Sequence, residues 1–228
     1  MKKTRKIKVI GSGGIGGHLL EPLARYLSYV DDYCEVTVID GDSYEERNRE
    51  RQIFEDFGNK AEESVKLLKQ KFPKVHFRHK SEYVTEDNII TTIREGDVIF
   101  LCVDNHATRN LVSERVEELD EALLISGGND YTDGDVIVYH RQYGKDKTPS
   151  LHSLPEIANH TDKNPGEFTN EERQGCQEEA QANPQLLFMN LDIASLMLNC
   201  YYAYEQNKLN FHRVYSDILT QARRAVRR

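Results

Sequence analysis

The amino-acid sequence predicts an open, doubly wound α/β fold of the Rossmann type, with a mostly parallel sheet, helices on both faces and an antiparallel extension on the C-terminal side. Three observations support this prediction. An apolar strand runs directly into a glycine-rich turn and then into a helical pattern. Strand-like and helix-like segments alternate over the first half of the chain. The segment DVIFLCVD (97–104) is almost continuously apolar, which is typical of a central parallel strand covered on both faces.

The first three elements form a βαβ unit. Residues 7–10 predict a strand, and residues 14–30 predict a helix because Leu19, Leu23 and Leu27 fall on one face. The segment CEVTVID (34–40) predicts the second strand. A helix between two strands is the connection that parallel pairing requires.

The middle of the chain continues this alternation after a charged loop at 41–51. The periodicity predicts helices at 59–71, 85–96 and 105–119, and strands at 74–79, 97–104, 122–128 and 134–142.

The C-terminal part departs from the alternation. Residues 143–181 are polar and lack periodicity, which predicts a long loop within one domain. Residues 184–206 predict a strongly apolar helix, which belongs in a core or in a dimer interface, and we expect a homodimer. Residues 209–218 predict a closing strand, and the basic segment ARRAVRR (222–228) is interpreted as a solubilising tail.

Composition favours a single soluble domain over residues 1–228, with a cytoplasmic location. The longest unbroken apolar run, 98–103, is too short to cross a bilayer, and the basic N-terminal stretch lacks the features of a signal peptide. The net charge of −8 argues against a nucleic-acid partner. Four widely spaced cysteines without a CxxC pair form neither a disulfide framework nor a zinc ribbon, so no zinc is expected.

The glycine-rich turn fits the pattern G-x-G-x-x-G between a strand and a helix, which indicates a nucleotide site. Gly11 allows the tight turn, Gly13 lets the backbone approach a phosphate, and Gly16 lets the helix pack on the sheet. Gly14 opens the helix, whose amino terminus attracts an anion. Asp40 ends the second strand, where a carboxylate binds ribose hydroxyls. The pattern alone leaves nicotinamide dinucleotides and ATP both open.

The charged segment after the second strand favours ATP. Asn48 is followed by Arg51 and Gln52, and Lys60 begins the next predicted helix. An enzyme that cleaves a triphosphate needs cations to neutralise the charge that develops on the leaving pyrophosphate. The sequence places no P-loop lysine beside the glycines, so Arg51 and Lys60 are the candidate cations. The alternative is an ordinary solvated charged loop.

A second polar group follows the strongest predicted strand. Asp104 stands where that strand ends, at the sheet edge where ligands bind in open α/β folds. A single carboxylate there suits Mg²⁺, which takes one or two carboxylates together with phosphate oxygens. Asn105 is expected to cap the helix or to touch the nucleotide, and Arg109 lies one turn further on. A simple Asp/Asn helix cap is the alternative.

Taken together, these motifs resemble those of the ThiF/MoeB family, relatives of the ubiquitin-activating enzymes. The shared order is Gly-x-Gly-Gly-Ile-Gly, an Asp after the second strand, Asn-x-x-Arg-Gln, Gly-x-Lys-Ala and Cys-x-Asp-Asn-x-x-x-Arg-Asn. The resemblance implies an adenylyltransferase that uses ATP and Mg²⁺ to join AMP to a carboxylate and releases pyrophosphate. The expected partner is a small ubiquitin-like or sulfur-carrier protein, or a peptide, with a free C-terminal carboxylate.

The resemblance also implies roles for individual residues. Gly13 is expected at the phosphates and Asp40 at the ribose. Asn48, Arg51 and Lys60 are expected around the triphosphate, and Asp104 at the magnesium ion. A carboxylate is already ionised at pH 7 and needs no general base, so positioning and charge neutralisation suffice.

The chain differs from many members of this family in two features, and it contains one candidate nucleophile. Many bacterial members have zinc-binding CxxC pairs, which this chain lacks. Many also have an N-terminal helix whose arginine reaches the partner subunit's site, whereas Arg5 is the one arginine before Ile7 here. Cys176, in RQGCQEE, is the candidate nucleophile for a thioester or persulfide-linked intermediate, with a structural cysteine as the alternative.

Two other functions are compatible with parts of the sequence. An NAD-dependent oxidoreductase would share the glycine-rich turn, but the matches at Arg51, Lys60 and Asp104 would then be coincidental. A non-catalytic scaffold of the same fold would pair with an active partner.

Overall fold

The computed structural model of the chain describes residues 4–30, 32–50, 52, 54–168 and 187–227. Two residues of the predicted site, Arg51 and Cys176, lie outside the described residues. Within the described ranges the chain forms a nine-stranded sheet with helices on both faces. The predicted fold class is confirmed.

The strands are β1 (Thr4–Ile10), β2 (Tyr33–Ile39), β3 (His76–Lys80), β4 (Val98–Leu101), β5 (Ala122–Asn129), β6 (Asp133–Gln142), β7 (Lys145–Asp146), β8 (Phe211–Asp217) and β9 (Ala222–Arg227). The helices are α1 (Gly14–Leu27), α2 (Lys60–Lys71), α3 (Ile89–Thr92), α4 (His106–Glu117), α5 (Pro155–Ala158) and α6 (Leu187–Glu205). Short 3-10 turns lie at Glu46–Glu50, Leu151–Ser153 and Pro165–Glu167.

The strand order places the turn after β1 at a topological switch point. The order is β3-β2-β1-β4-β5-β6-β8-β9, with β7 also paired to β6. Strands β1 to β5 pair in parallel and the later pairs are antiparallel. Ile10 pairs with Ile39 on β2 and with Leu101 on β4, so these three strands end at the same edge. In open α/β sheets this crevice is where ligands bind.

Two apolar cores cover the two faces of the sheet. On one face, α1, α2 and α6 pack on alternate strand residues that include Val9, Val38 and Phe100. On the other face, α3, α4 and α5 pack on residues that include Ile99 and Leu124. The parallel strands are therefore buried on both sides, which explains why β4 has no polar face.

The predicted helix at 85–96 is wrong in length, because only Ile89–Thr92 is helical. Asn88 forms a turn in front of it, accepting from the Thr85 amide at 3.0 Å and donating to the Tyr83 carbonyl at 2.8 Å. Ile93 is already extended. Ile89 and Ile93 are both buried, so one helical turn satisfies the apolar spacing that predicted a longer helix.

The basic C-terminal segment is not a tail. Residues Ala222–Arg227 form β9, which pairs antiparallel with β8 at the edge of the sheet. Most of its side chains are exposed, so the sequence shows no apolar alternation there. Arginines on an exposed edge strand are a common protection against unwanted strand pairing.

The predicted long loop at 143–181 contains short ordered elements in its described part, up to residue 168. Leu151 and Ile157 are buried against the core on the α4 side of the sheet. Asn164 is buried as well and donates to the Val84 carbonyl at 2.9 Å. Isolated apolar residues anchor this stretch, and they are too few to produce a period. Residues 169–181 lie outside the described residues.

Helix α6 belongs mainly to the core of its own chain. Met197 and Tyr201, which lie in the apolar helix predicted for a core or a dimer interface, are 0% and 2% exposed. Tyr201 packs edge-on against Phe100, with ring centroids 5.5 Å apart. Leu191 and Phe188 do remain exposed. None of the described helices has the length and apolarity that a membrane span requires.

The packing of α6 predicts effects of very different size for two alanine substitutions on the same helix. We expect Met197→Ala to lower the free energy of unfolding by about 2–5 kcal/mol, because it leaves a cavity in the core. The exposed Leu191 serves as the control, and Leu191→Ala should change the free energy by less than about 0.5 kcal/mol. Urea denaturation measures both. Equal effects would contradict the placement of α6.

Candidate nucleotide site

The glycine-rich turn is held between the ends of β2 and β4. The Gly11 amide donates to the Ile39 carbonyl at 2.9 Å, and the Cys102 amide donates to the Ile10 carbonyl at 2.8 Å. Gly11 has a φ of +86°, and a Cβ there would lie 2.8 Å from the Cys102 carbonyl oxygen. A Cβ on Gly16 would lie 2.0 Å from the Gly11 carbonyl oxygen. Only glycine fits at these two positions.

The turn leaves the amino terminus of α1 without a side-chain cap. Gly13 is the N-cap residue, and it forms no side-chain hydrogen bond to the first turn. The first-turn amides of a helix, here those of Gly14, Ile15 and Gly16, have no acceptor within the helix. The first turn also lacks acidic residues. Uncapped amides and the positive end of the helix dipole form a binding site for an anion such as a phosphate.

The carboxylate of Asp40 holds the glycine-rich turn in place through hydrogen bonds. One carboxylate oxygen accepts from the Ser12 amide at 2.6 Å and from its hydroxyl at 3.1 Å, and the other accepts from the Asp42 amide at 2.9 Å. Burial raises the pKa of Asp40, against the opposing effect of the charge on Lys60. Binding of ribose by Asp40 stays a prediction, and the structure adds a role in fixing the turn.

Lys60 lies beside this turn because the start of α2 is docked on residues 40–42. Asn59 caps the helix, accepting from the Ala61 and Glu62 amides, and its Nδ2 donates to the carbonyls of Asp40 and Asp42. Lys60 Nζ lies 3.0 Å from the Asp42 carboxylate. Burial acts to lower the pKa of Lys60, but the nearby carboxylates of Asp42 and Asp40 outweigh it and the pKa is raised. Lys60 is therefore a buried cation with an acidic partner that the sequence analysis missed.

The segment between β2 and α2 brings two further predicted residues to the site. Asn48 is buried and its Oδ1 accepts from the Glu45 amide at 2.9 Å, so it organises the 3-10 turn. The Gln52 amide donates to the Asn48 carbonyl at 2.8 Å. The Gln52 side chain faces the glycine-rich turn, because its Nε2 lies 3.4 Å from where a Cβ on Gly13 would stand. Its Oε1 is buried and has no partner among the described residues.

The opposite wall of the crevice follows β4. Asp104 is exposed, and its carboxylate has no hydrogen bond or ion pair among the described residues. Asn105 caps α4, its Oδ1 accepting from the Thr108 amide at 2.8 Å, so the capping interpretation is confirmed for Asn105. Asp104 itself does not cap the helix, which leaves its carboxylate available to a ligand.

Arg109 is largely committed to the backbone. It donates to the Val103 carbonyl at 2.9 Å and to the Gly127 carbonyl at 3.3 Å, joining the ends of β4 and β5. A Cβ on Gly128 would lie 2.4 Å from its guanidinium. Burial lowers the pKa of Arg109, partly offset by Asp135 and Asp104. The structure therefore gives Arg109 a role in fixing the sheet edge that bears Asp104; direct binding of nucleotide stays a prediction.

Sequence analysis missed Asn190, which reaches the site from α6. Its side chain is 0% exposed, and a Cβ on Gly14 would lie 2.5 Å from its Nδ2. Neither polar atom has a hydrogen-bond partner among the described residues, and each such buried group costs about 1–3 kcal/mol. The sequence does contain a signal for Asn190, because it falls on the same buried stripe of α6 as the apolar residues Ile193 and Met197.

The side chains fit Mg²⁺ only if a ligand completes its coordination. In the described part of the chain, no group of three or more His, Cys, Asp or Glu side chains is arranged to hold a metal ion. Asp104 supplies one hard oxygen ligand at the sheet edge, and a magnesium ion commonly takes its other ligands from phosphates and water.

The close approach of Gly16 to Gly11 predicts opposite effects for two adjacent substitutions. Gly16→Ala should lower the free energy of unfolding by about 1–3 kcal/mol, because the new methyl group meets a backbone carbonyl. Gly17→Ala is the control, since its Cβ would lie 3.5 Å from the Ser12 carbonyl oxygen, an ordinary contact. We expect it to be neutral or to stabilise by up to about 1 kcal/mol, through better helix propensity. Urea denaturation measures the free energy of unfolding of both variants. If Gly16→Ala left that free energy unchanged, the described turn would be refuted.

Known proteins are similar to a little more than half of this chain in sequence. Relatives include the SUMO-activating enzyme subunit uba-2 of Caenorhabditis elegans, 32% identical over 132 residues, which are 55% of this chain and 22% of that protein. The adenylyltransferase and sulfurtransferase MOCS3 of Drosophila ananassae is 31% identical over 142 residues, covering 60% of this chain and 30% of that protein. This chain thus spans less than a third of the length of either relative.

Solved structures show the same fold over nearly the whole chain. Escherichia coli MccB crystallised with ATP has a TM-score of 0.72 and 17% identity, covering 98% of this chain and 64% of that one. MccB in complex with N-formylated MccA gives a TM-score of 0.72 at 16% identity, with the same coverage. The family profile of ThiF matches residues 2–227. The chain belongs to the ThiF family.

Proposed function

We propose that this protein is an ATP- and Mg²⁺-dependent adenylyltransferase, which activates a carboxylate as an acyl adenylate and releases pyrophosphate. The observation that carries the proposal is that the uncapped α1 terminus and the exposed carboxylate of Asp104 follow two paired strands, β1 and β4, at one edge of the sheet. Membership of the ThiF family supports it, as do relatives that are named adenylyltransferases and a structural neighbour crystallised with ATP.

The proposal assigns roles to backbone amides of α1 and to four side chains around them. The amides of the first turn of α1 hold phosphate oxygens, and the Gln52 carboxamide lies beside them. Lys60 supplies positive charge, and it reaches a phosphate by exchanging its contact with Asp42. Asp104 would hold the magnesium ion, which neutralises charge on the triphosphate when it is bound. Arg51, outside the described residues, is proposed as the second cation.

The proposed reaction needs no general base. A substrate carboxylate is ionised at pH 7, so one of its oxygens attacks the α-phosphorus directly. A P–O bond forms to the acyl oxygen as the bond to pyrophosphate breaks. The protein holds the two anions together and lowers the charge at the leaving group.

The substrate is proposed to be the C-terminus of a ubiquitin-like or sulfur-carrier protein, or of a peptide. The names of the relatives support the protein substrates, and the MccB structure with MccA suggests a second candidate substrate class, a peptide. We keep a cytoplasmic location and a homodimer as proposals. Phe188 and Leu191, which are exposed on α6, are available for the dimer contact.

Two alternatives remain distinguishable by experiment. An NAD-dependent oxidoreductase would be stabilised in a thermal-shift assay by NAD rather than by ATP with Mg²⁺. The family match favours ATP. A non-catalytic scaffold would fail to exchange pyrophosphate.

The magnesium assignment predicts loss of chemistry without loss of fold. With a carboxylate substrate, the wild type should exchange labelled pyrophosphate into ATP in a Mg²⁺-dependent manner. We expect Asp104→Asn to reduce the exchange rate by at least about 100-fold, as loss of transition-state charge stabilisation does elsewhere. Its thermal melting should be unchanged, because the Asp104 carboxylate has no hydrogen bond or ion pair among the described residues.

Asp87→Asn provides the matched control, since Asp87 is another exposed carboxylate and is not one of the candidate site residues. This variant should exchange at the wild-type rate. If Asp104→Asn also exchanged at that rate, the magnesium assignment would be wrong.

A second step, transfer of the acyl group from AMP to the Cys176 thiol, makes a separate prediction. Cys176→Ala should leave pyrophosphate exchange nearly unchanged but eliminate any thiol-sensitive adduct with the substrate protein on non-reducing gels. Cys34→Ala is the control and should keep the adduct, because Cys34 is buried and burial raises its pKa. Robust exchange with no adduct in the wild type would assign Cys176 a structural role.

A further inference from the structure

Asn190 is a polar residue in an apolar environment, aimed at the start of α1. The residues that follow it on the same stripe of α6, Ile193 and Met197, pack against Gly127 on β5. Its carboxamide packs against Gly14, since a Cβ there would lie 2.5 Å from Nδ2, 2.9 Å from Cγ and 3.1 Å from Oδ1. The carboxamide is therefore next to the first residue of an uncapped helix terminus.

Two other polar side chains, one on α6 and one in the core, do have partners, whereas the buried Ser126 hydroxyl on β5 has none among the described residues. Asp192, two residues along α6, accepts from the Ser216 hydroxyl at 2.6 Å and from Arg223 at 2.5 Å. Asn164 accepts from the Gly166 amide and donates to the Val84 carbonyl, both at 2.9 Å. Asn190 has no partner for either atom among the described residues. A fully buried carboxamide without a partner among the described residues needs one from elsewhere, and a bound ligand can supply it.

A second unpaired carboxamide lies at the same turn. Gln52 has a buried Oε1 without a partner among the described residues, and its Nε2 faces Gly13. Gln52 comes from the segment between β2 and α2, whereas Asn190 comes from α6. Two carboxamides from distant parts of the chain thus adjoin Gly13 and Gly14, next to the backbone donors for an anion.

We propose that Asn190 is a phosphate-binding residue, whose Nδ2 donates to a phosphate oxygen of a nucleotide held at the amino terminus of α1. This inference rests on the proposed function and extends its site to α6. The neutral carboxamide adds a hydrogen bond without adding charge. Because Asn190 lies on the helix that packs along α1, phosphate binding also ties α6 to α1.

The test uses three substitutions on α6, with Mg-ATP as the probe. Asn190→Leu replaces the carboxamide by an apolar group of similar shape, and Asn190→Asp places an anion at the same position. Asn199→Leu is the control, because Asn199 is exposed on the same helix. Calorimetry measures the Kd of Mg-ATP for each variant of the 228-residue chain, and thermal melting without nucleotide measures stability.

We expect Asn190→Leu to weaken Mg-ATP binding about tenfold, as loss of one hydrogen bond to a charged group does. Its melting temperature without nucleotide should equal or exceed that of the wild type, because two unpaired polar atoms are removed. Asn190→Asp should weaken binding by more than tenfold through repulsion, and Asn199→Leu should bind as the wild type does. A purely structural asparagine does not combine weaker binding with an equal or higher melting temperature.

Two results would overturn the inference separately from the proposed function. If the wild type binds Mg-ATP and Asn190→Leu binds it equally well, Asn190 is not a phosphate-binding residue and the proposed function stands. If Asn190→Leu melts well below the wild type, its polar atoms have a structural partner and the inference fails. If neither the wild type nor Asn199→Leu binds Mg-ATP, the proposed function itself fails.

Discussion

The hydrogen bond from the Ser12 amide to the buried carboxylate of Asp40, at 2.6 Å, is the contact on which the site depends. It ties the glycine-rich turn after β1 to the end of β2. The other carboxylate oxygen accepts from the Asp42 amide, so the same side chain fixes the segment on which α2 docks. The α1 terminus and Lys60 are therefore positioned from one buried group.

Burial of that carboxylate is partly compensated by a nearby positive charge. Asp40 is desolvated, which raises its pKa, and the nearby cation of Lys60 acts in the opposite direction. Lys60 in turn is held by Asp42. An isolated buried charge would be costly, whereas this carboxylate–lysine–carboxylate arrangement keeps each charge next to an opposite one. A bound triphosphate can compete with Asp42 for Lys60, because the Asp42 side chain is half exposed and water can solvate it when the contact breaks.

How far the sequence predicts the structure depends on the range of each interaction. The turn, the alternation of strands and helices in the first half of the chain and the cap at Asn105 follow from local patterns, and the structure agrees with them. The pairing of Lys60 with Asp42 and the placement of Asn190 against Gly14 arise from tertiary packing, which no local period records. Strand β9 escaped prediction because an exposed edge strand has no apolar face.

The central claim is that the amino terminus of α1 and Asp104 bind the phosphates and metal of one nucleotide. A crystal structure with Mg²⁺ and the analogue AMPCPP tests it most directly. The account predicts phosphate oxygens about 2.7–3.2 Å from the amides of the first turn of α1. It also predicts a magnesium ion about 2.0–2.1 Å from an Asp104 carboxylate oxygen. A nucleotide bound with its phosphates away from α1, or with its metal away from Asp104, would contradict the account.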